Sequence, residues 1–113
     1  MHELRIAQEI INITQREMVT RKLNNISKIG LKIGALSGID PEALSFGFEA
    51  STADSELAGV ELDIEFIPVK GKCDSCRADF EVDDFLFICP QCGSNEVTVT
   101  EGEELNIAYF IGE

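Results

Sequence analysis

The chain has 113 residues, 44% of them hydrophobic, which sets the scale at one compact domain or a core with a small insertion. Its 21 acidic and 9 basic residues leave a net charge of −12, a potential that opposes binding to nucleic acid or to anionic membranes. Met1 opens into His2-Glu3-Leu4 without a basic stretch and apolar run, and nothing approaches the roughly 20 apolar residues of a membrane helix. Neither a secretory signal nor a membrane span is expected, and the expected compartment is the cytoplasm.

In chain order, Leu4, Ala7, Ile11 and Met18 recur at spacings of three, four and seven, with Ile10 widening the stripe. This predicts an amphipathic helix to about Leu23. After Asn24-Asn25, Ile29, Leu31, Ile33 and Ala35 alternate with Lys28, Gly30, Lys32 and Gly34, the period of a half-buried strand. Gly30 and Gly34 predict close approach by another backbone. Ser37-Gly38 reads as a turn. Asp40-Pro41 then supplies an N-cap acceptor and a first-turn proline for a second helix, to about Ala53.

Val60, Leu62, Ile64 and Phe66 give a second strand, and Leu105, Ile107, Tyr109 and Ile111 a third, both expected as core material. Strand, helix, strand predicts a right-handed crossover with the first two strands parallel. The fold class is therefore α+β: a small three-stranded sheet packed with two helices, interrupted by a cysteine-bearing insertion. Pro68 and Gly71 mark where the insertion starts and Gly102 where it stops. Residues 1–68 plus 103–113 would form a discontinuous core domain and 69–102 the inserted one.

Cys73, Cys76, Cys89 and Cys92 form two C-x-x-C pairs separated by 12 residues, Arg77 to Ile88, the spacing of a zinc ribbon. Each two-residue gap lets a pair of thiolates converge on one tetrahedral ion while the spacer folds back as a hairpin. Gly93 suits the positive φ that follows such a turn. Arg77 stands at the matching place after the first pair, where a less regular geometry is expected. Phe80, Val82, Phe85 and Phe87 would form a thin apolar layer, too little to hold the insertion without metal. Iron in a rubredoxin-like site or a redox dithiol are the competing readings; zinc is favoured. Four protein ligands would close the coordination sphere and leave no position for catalysis.

His2 is the single histidine, and it sits where a free amine, a backbone amide and an imidazole can form fused chelate rings. With the His2 amide deprotonated, the Met1 amine and the imidazole flank it in a plane suited to Ni(II) or Cu(II). The Glu3 amide, a side chain or water would stand fourth. On chemistry alone the accidental reading, a histidine at an exposed terminus, weighs more. No His-based dyad, Walker loop or nucleotide fingerprint occurs elsewhere. Glu101, Glu103 and Glu104 read as an incidental acidic turn.

Taken together these residues resemble the HypA/HybF family of nickel metallochaperones. The resemblance runs through Met1-His2-Glu3-Leu4; Leu31, Ile33-Gly34, Leu36-Ser37-Gly38, Pro41, Leu44, Phe46 and Phe48-Glu49; and Leu62, Ile64-Glu65 and Pro68. Cys89-Pro90-Gln91-Cys92-Gly93-Ser94, Gly102, Glu104-Leu105 and Ile107 complete it. C-P-x-C-G occurs in many zinc ribbons; the initiating Met-His-Glu with a ribbon inserted before a last strand is specific. Val60 departs from the small residue often found there, and no histidine flanks the cysteine pairs.

The resemblance implies that Ni(II) is bound by His2 with the Met1 amine and nearby backbone, Glu3 adjacent, and that the four cysteines hold structural zinc. It reverses the reading of His2. It further implies a non-enzymatic nickel carrier for maturation of nickel-iron hydrogenase and, in some organisms, urease. Its partners would be the nickel-linked GTPase HypB, the hydrogenase large subunit precursor and, where urease is present, urease accessory proteins. It would act as a monomer or weak homodimer. The alternatives are a zinc-ribbon module that bridges proteins without nickel transfer, and a nucleic-acid-binding ribbon. The second is opposed by seven acidic residues against Lys70, Lys72 and Arg77 within 69–102.

Overall fold

A computed structural model describes residues 2–113, His2 through its backbone only. The elements are α1 (His2–Thr20), β1 (Ile26–Gly34), a 3₁₀ turn (Ala35–Ser37), α2 (Pro41–Thr52), β2 (Glu61–Ile67), β3 (Lys70–Cys73), β4 (Asp79–Glu81), β5 (Val97–Glu101) and β6 (Leu105–Gly112). They make two three-stranded sheets, ordered β2-β1-β6 and β4-β3-β5. The chain divides into two compact units: residues 1–32, 39–65 and 106–113, and residues 33–38 and 66–105. Relative to the division read from sequence, 33–38, 66–68 and 103–105 fall with the second unit. No described helix is long and apolar enough to cross a membrane.

In the first unit α1 buries Ala7, Ile10, Ile11 and Met18 of the predicted stripe, with Thr14 added, while Leu4, the first predicted member, is 55% exposed. The Thr14 hydroxyl is satisfied by donating to the Ile10 carbonyl at 2.7 Å. The helix stops three residues short of the predicted end. Leu23 N–H donates to Met18 C=O and Lys22 N–H to Val19 C=O, with Lys22 at φ 56°. These are the two bonds of a Schellman cap, with a lysine where glycine is usual.

α2 starts as predicted. Asp40 is extended, and its Oδ1 accepts from Glu42 N–H at 2.9 Å, with Pro41 in the first turn. α2 packs on α1 at Gly47, where an added Cβ would lie 3.0 Å from Leu4 Cδ2. Leu44, Phe48, Leu57, Ile26, Ile29, Leu31 and Ile39 are buried in the same unit.

β1 is the central strand, and alternation places Lys28, Gly30 and Lys32 on the face opposite Ile29 and Leu31. That second face is charged and open. Lys28 Nζ lies 3.2 Å from the Glu61 carboxylate, and the Tyr109 ring lies over Gly30 and donates its hydroxyl to Asp63. The expectation that Leu105, Ile107, Tyr109 and Ile111 form a core face is therefore corrected. β6 is an edge strand, Tyr109 is 40% exposed, and Leu105 and Ile111 are exposed too. An apolar alternation on an edge strand gives a period but does not say which of the two sheet faces is covered.

In the second unit β3 pairs antiparallel with β4, through Lys70 with Glu81 and Lys72 with Asp79, and with β5, through Cys73 with Val97. Gly34 N–H donates to Glu104 C=O and Leu36 N–H to Gly102 C=O, both at 2.7 Å, which ties residues 33–38 to this unit. Gly34 is crowded by the Gly102-Glu103 backbone, as predicted for a close approach; Gly30 instead meets the Tyr109 side chain.

Candidate metal centres

Among the described residues one group of side chains converges closely enough to hold a metal ion. The sulfurs of Cys73, Cys76, Cys89 and Cys92 all lie within 4.8 Å of one another. Cys73 and Cys89 are buried, Cys76 and Cys92 exposed. Cys73 closes β3 and the first pair turns back into β4, so the hairpin flanks the first knuckle rather than lying within the spacer. This corrects the expected folding of residues 77–88.

The two knuckles repeat one backbone pattern. Cys73 N–H donates to Ala78 C=O and Arg77 N–H to Cys73 C=O; Cys89 N–H donates to Ser94 C=O and Gly93 N–H to Cys89 C=O. All four bonds are 2.9 Å. Arg77 has φ 64° and Gly93 φ 77°. The expected irregularity at Arg77 is thus absent: the tetrad geometry imposes the left-handed conformation on an arginine. The signal that could have located it was symmetry with Gly93, not residue type.

Cys73 and Cys92 sulfurs are 3.5 Å apart, as are those of Cys76 and Cys89. A tetrahedral ion with bonds of about 2.3 Å spaces its sulfurs about 3.8 Å apart, so the donor set fits one zinc ion or another tetrahedral thiophilic metal. The Cys76 N–H, donating to Cys73 Sγ at 3.4 Å, is the largest cause lowering the Cys73 pKa to about 6. The Cys92 amide likewise lowers Cys89. For the second cysteine of each pair, an amide (Ala78 for Cys76, Ser94 for Cys92) favours the thiolate. Neighbouring sulfurs and burial outweigh it, and Cys76 is pushed up to about 12. Without a cation the tetrad ionises unequally, because thiolates this close repel; a divalent metal removes that conflict.

The other predicted site lies partly outside the described residues: Met1 altogether, and His2 in its side chain. The His2 backbone opens α1. Glu3 is half-buried beside it, and its Oε2 accepts from Asp40 N–H at 3.2 Å. That bond is the main cause holding the Glu3 carboxyl below its ordinary value. Asp40 therefore has two roles, the second invisible in sequence: its side chain caps α2 while its amide holds Glu3. Of the acidic turn, Glu101 pairs with Lys70 at 3.2 Å, and Glu104 Oε1 accepts from Gly102 N–H at 2.7 Å.

The family described as hydrogenase/urease nickel incorporation, metallochaperone, hypA, matches residues 1–111. A hydrogenase maturation factor HypA of Geobacter metallireducens is 39% identical over 107 residues, covering 95% of this chain and 94% of its own. One of Moorella thermoacetica is 35% identical over the full length of both. Among solved structures, the solution structure of the Ni metallochaperone HypA from Helicobacter pylori shares the fold at TM-score 0.64 and 21% identity, covering 97% of this chain and 96% of that one. A solution structure of HypA protein does so at TM-score 0.71 and 23% identity, covering 100% and 97%. The chain belongs to the HypA family of nickel metallochaperones for hydrogenase maturation.

Proposed function

We propose that this protein captures Ni(II) at its N-terminus, through the Met1 amine, His2 and neighbouring backbone nitrogen with Glu3 adjacent. It delivers the ion for maturation of nickel-iron hydrogenase. The observation that carries the reading is the end-to-end family match on a chain whose first helix starts at His2. The first amides of a helix have no intrahelical acceptor, so those of His2 and Glu3 can deprotonate and bind metal without breaking a helical bond. The resulting nitrogen-rich plane suits Ni(II).

The second unit serves as a zinc-binding domain, in which Cys73, Cys76, Cys89 and Cys92 hold one structural Zn2+ in a closed sphere. The first serves as the nickel-binding domain. Nickel passes to the hydrogenase large subunit precursor in concert with the GTPase HypB, and to urease assembly where that enzyme is present. The protein carries metal in the cytoplasm and catalyses no covalent reaction.

Calorimetric titration of Ni(II) into zinc-loaded protein with native Met1 exposed tests this. One equivalent is bound, with affinity falling as acid protonates the amine and imidazole. His2→Ala, or two residues added before Met1, abolishes it; unchanged binding in both variants refutes the site.

A further inference from the structure

We propose that the loop between β4 and the second cysteine pair is a protein-docking knob, fitting an apolar pocket rimmed by Lys or Arg on a partner protein. The loop turns on Asp83-Asp84-Phe85-Leu86. Leu86 N–H donates to Asp83 C=O at 2.9 Å, with Asp84 at φ 52° and Phe85 at φ 57°. Two positive φ values inside a closed four-residue turn are the type I′ arrangement, which calls for Asn-Gly or Gly-Gly. Asp tolerates it; an aromatic residue at the second position is strained.

Nothing in the core repays that strain. Phe85 is 59% exposed, Leu86 62% and Ile88 44%, whereas Val82 on the same loop is buried. The expectation that Phe85 joins the apolar layer with Phe80, Val82 and Phe87 is corrected here: Phe80 and Phe87 are half-buried and Phe85 points outward. The loop thus displays three large apolar side chains just before Cys89. A solvent-facing apolar cluster built on a strained aromatic residue marks an interaction surface.

Charge selects the occupant. From Ala78 to Glu113 the sequence has no Lys, Arg or His, and Asp83 and Asp84 lie in the turn itself, whereas Asp79 and Glu81 on β4 stand opposite Lys72 and Lys70 of β3. A phosphate backbone or an anionic bilayer is repelled, and a second copy of the loop brings no positive rim. A basic-rimmed apolar pocket satisfies both features.

The probes rest on the function proposed above: purified hydrogenase large subunit precursor and purified HypB from the same organism. Their affinity for zinc-loaded protein is measured for wild type, for Phe85→Gly/Leu86→Ser and for Asp83→Asn/Asp84→Asn. Glycine relaxes the φ of residue 85, so misfolding does not explain a loss, and zinc stoichiometry and melting are checked on each variant. At least one probe loses ten-fold or more in affinity with the first variant. The second variant weakens the same complex and flattens its salt dependence. Three results overturn the proposal: both probes bind all variants equally, neither binds wild type, or the first variant abolishes only self-association. Nickel titration of the same samples reports separately on the N-terminal site.

Discussion

Two glycines on one strand, Gly30 and Gly34, predict opposite outcomes for the same Gly→Ala change. A Cβ on Gly34 overlaps the Gly102 carbonyl and comes within 2.7 Å of Glu103 N, all backbone atoms with no rotamer to yield. To make room, the segments must separate, which breaks Gly34 N–H to Glu104 C=O and Leu36 N–H to Gly102 C=O. Each bond contributes about 1 kcal/mol net, and a stranded polar group costs about 1–3 kcal/mol more, so Gly34→Ala loses roughly 3–5 kcal/mol. A Cβ on Gly30 overlaps only the outer ring of Tyr109, which swings into solvent and gives up its bond to Asp63. That loss is partly offset by about 0.4–1 kcal/mol from the narrower unfolded ensemble of alanine. Scanning calorimetry of zinc-loaded protein should show Gly34→Ala melting at least about 12 °C lower and Gly30→Ala within about 4 °C of wild type. A Gly34→Ala protein that melts with wild type, or below which Gly30→Ala falls, refutes the close-approach argument.

Tyr109 is the single tyrosine in a chain without tryptophan, so its ultraviolet titration is unmixed. The bond to Asp63 is the largest cause raising its pKa above the ordinary 10.0. A raised folded pKa stabilises fully below the unfolded value and is lost as pH climbs through the folded one. The titration midpoint should therefore exceed 10, Asp63→Asn should bring it back, and the stability difference between the two proteins should vanish at higher pH. The Lys22 cap at φ 56° predicts that Lys22→Gly stabilises by about 1 kcal/mol, read as a melting point several degrees higher. Glu3 has the opposite sign to Tyr109: its folded pKa lies below 4.5, so its contribution is present above that value and lost as pH falls through the folded pKa. Glu3→Gln should flatten the acid limb of melting temperature against pH.

The features legible in sequence were those with a period or a chemical signature. The α1 stripe from Ala7 onward, the β1 alternation, the Asp40-Pro41 start of α2 and the cysteine spacing all reappear in the structure. β3, β4 and β5 were not legible. They have four, three and five residues, rich in Lys, Gly, Asp and Thr, and exist because they pair around the first knuckle rather than through local preference. Positive φ at Lys22, Arg77 and Phe85 left no trace because non-glycine residues hide it. The face of β6 was misread because alternation gives a period and not a direction. At the metal centre the ligand set was legible, while the matching hydrogen bonds around Arg77 and Gly93 required the fold.

The two proposed metal sites divide their ions by geometry rather than by affinity. First-row affinities rise from nickel to copper and fall back at zinc, so binding strength alone does not keep nickel away from thiolates. The tetrad does so through shape. Both knuckles are locked by matching 2.9 Å backbone bonds, and two sulfur pairs stand 3.5 Å apart, near the spacing of about 3.8 Å that tetrahedral zinc requires and that planar Ni(II) does not share. The proposed N-terminal set of amine, amides and imidazole would supply the planar arrangement instead. Zinc-loaded protein given a five-fold excess of Ni(II) should keep its full zinc, take up one nickel and show no sulfur-to-nickel charge-transfer absorption. Zinc release with such absorption, from protein whose His2 and Met1 are intact, would mean that the knuckles yield to nickel and that the two ions are not sorted by shape.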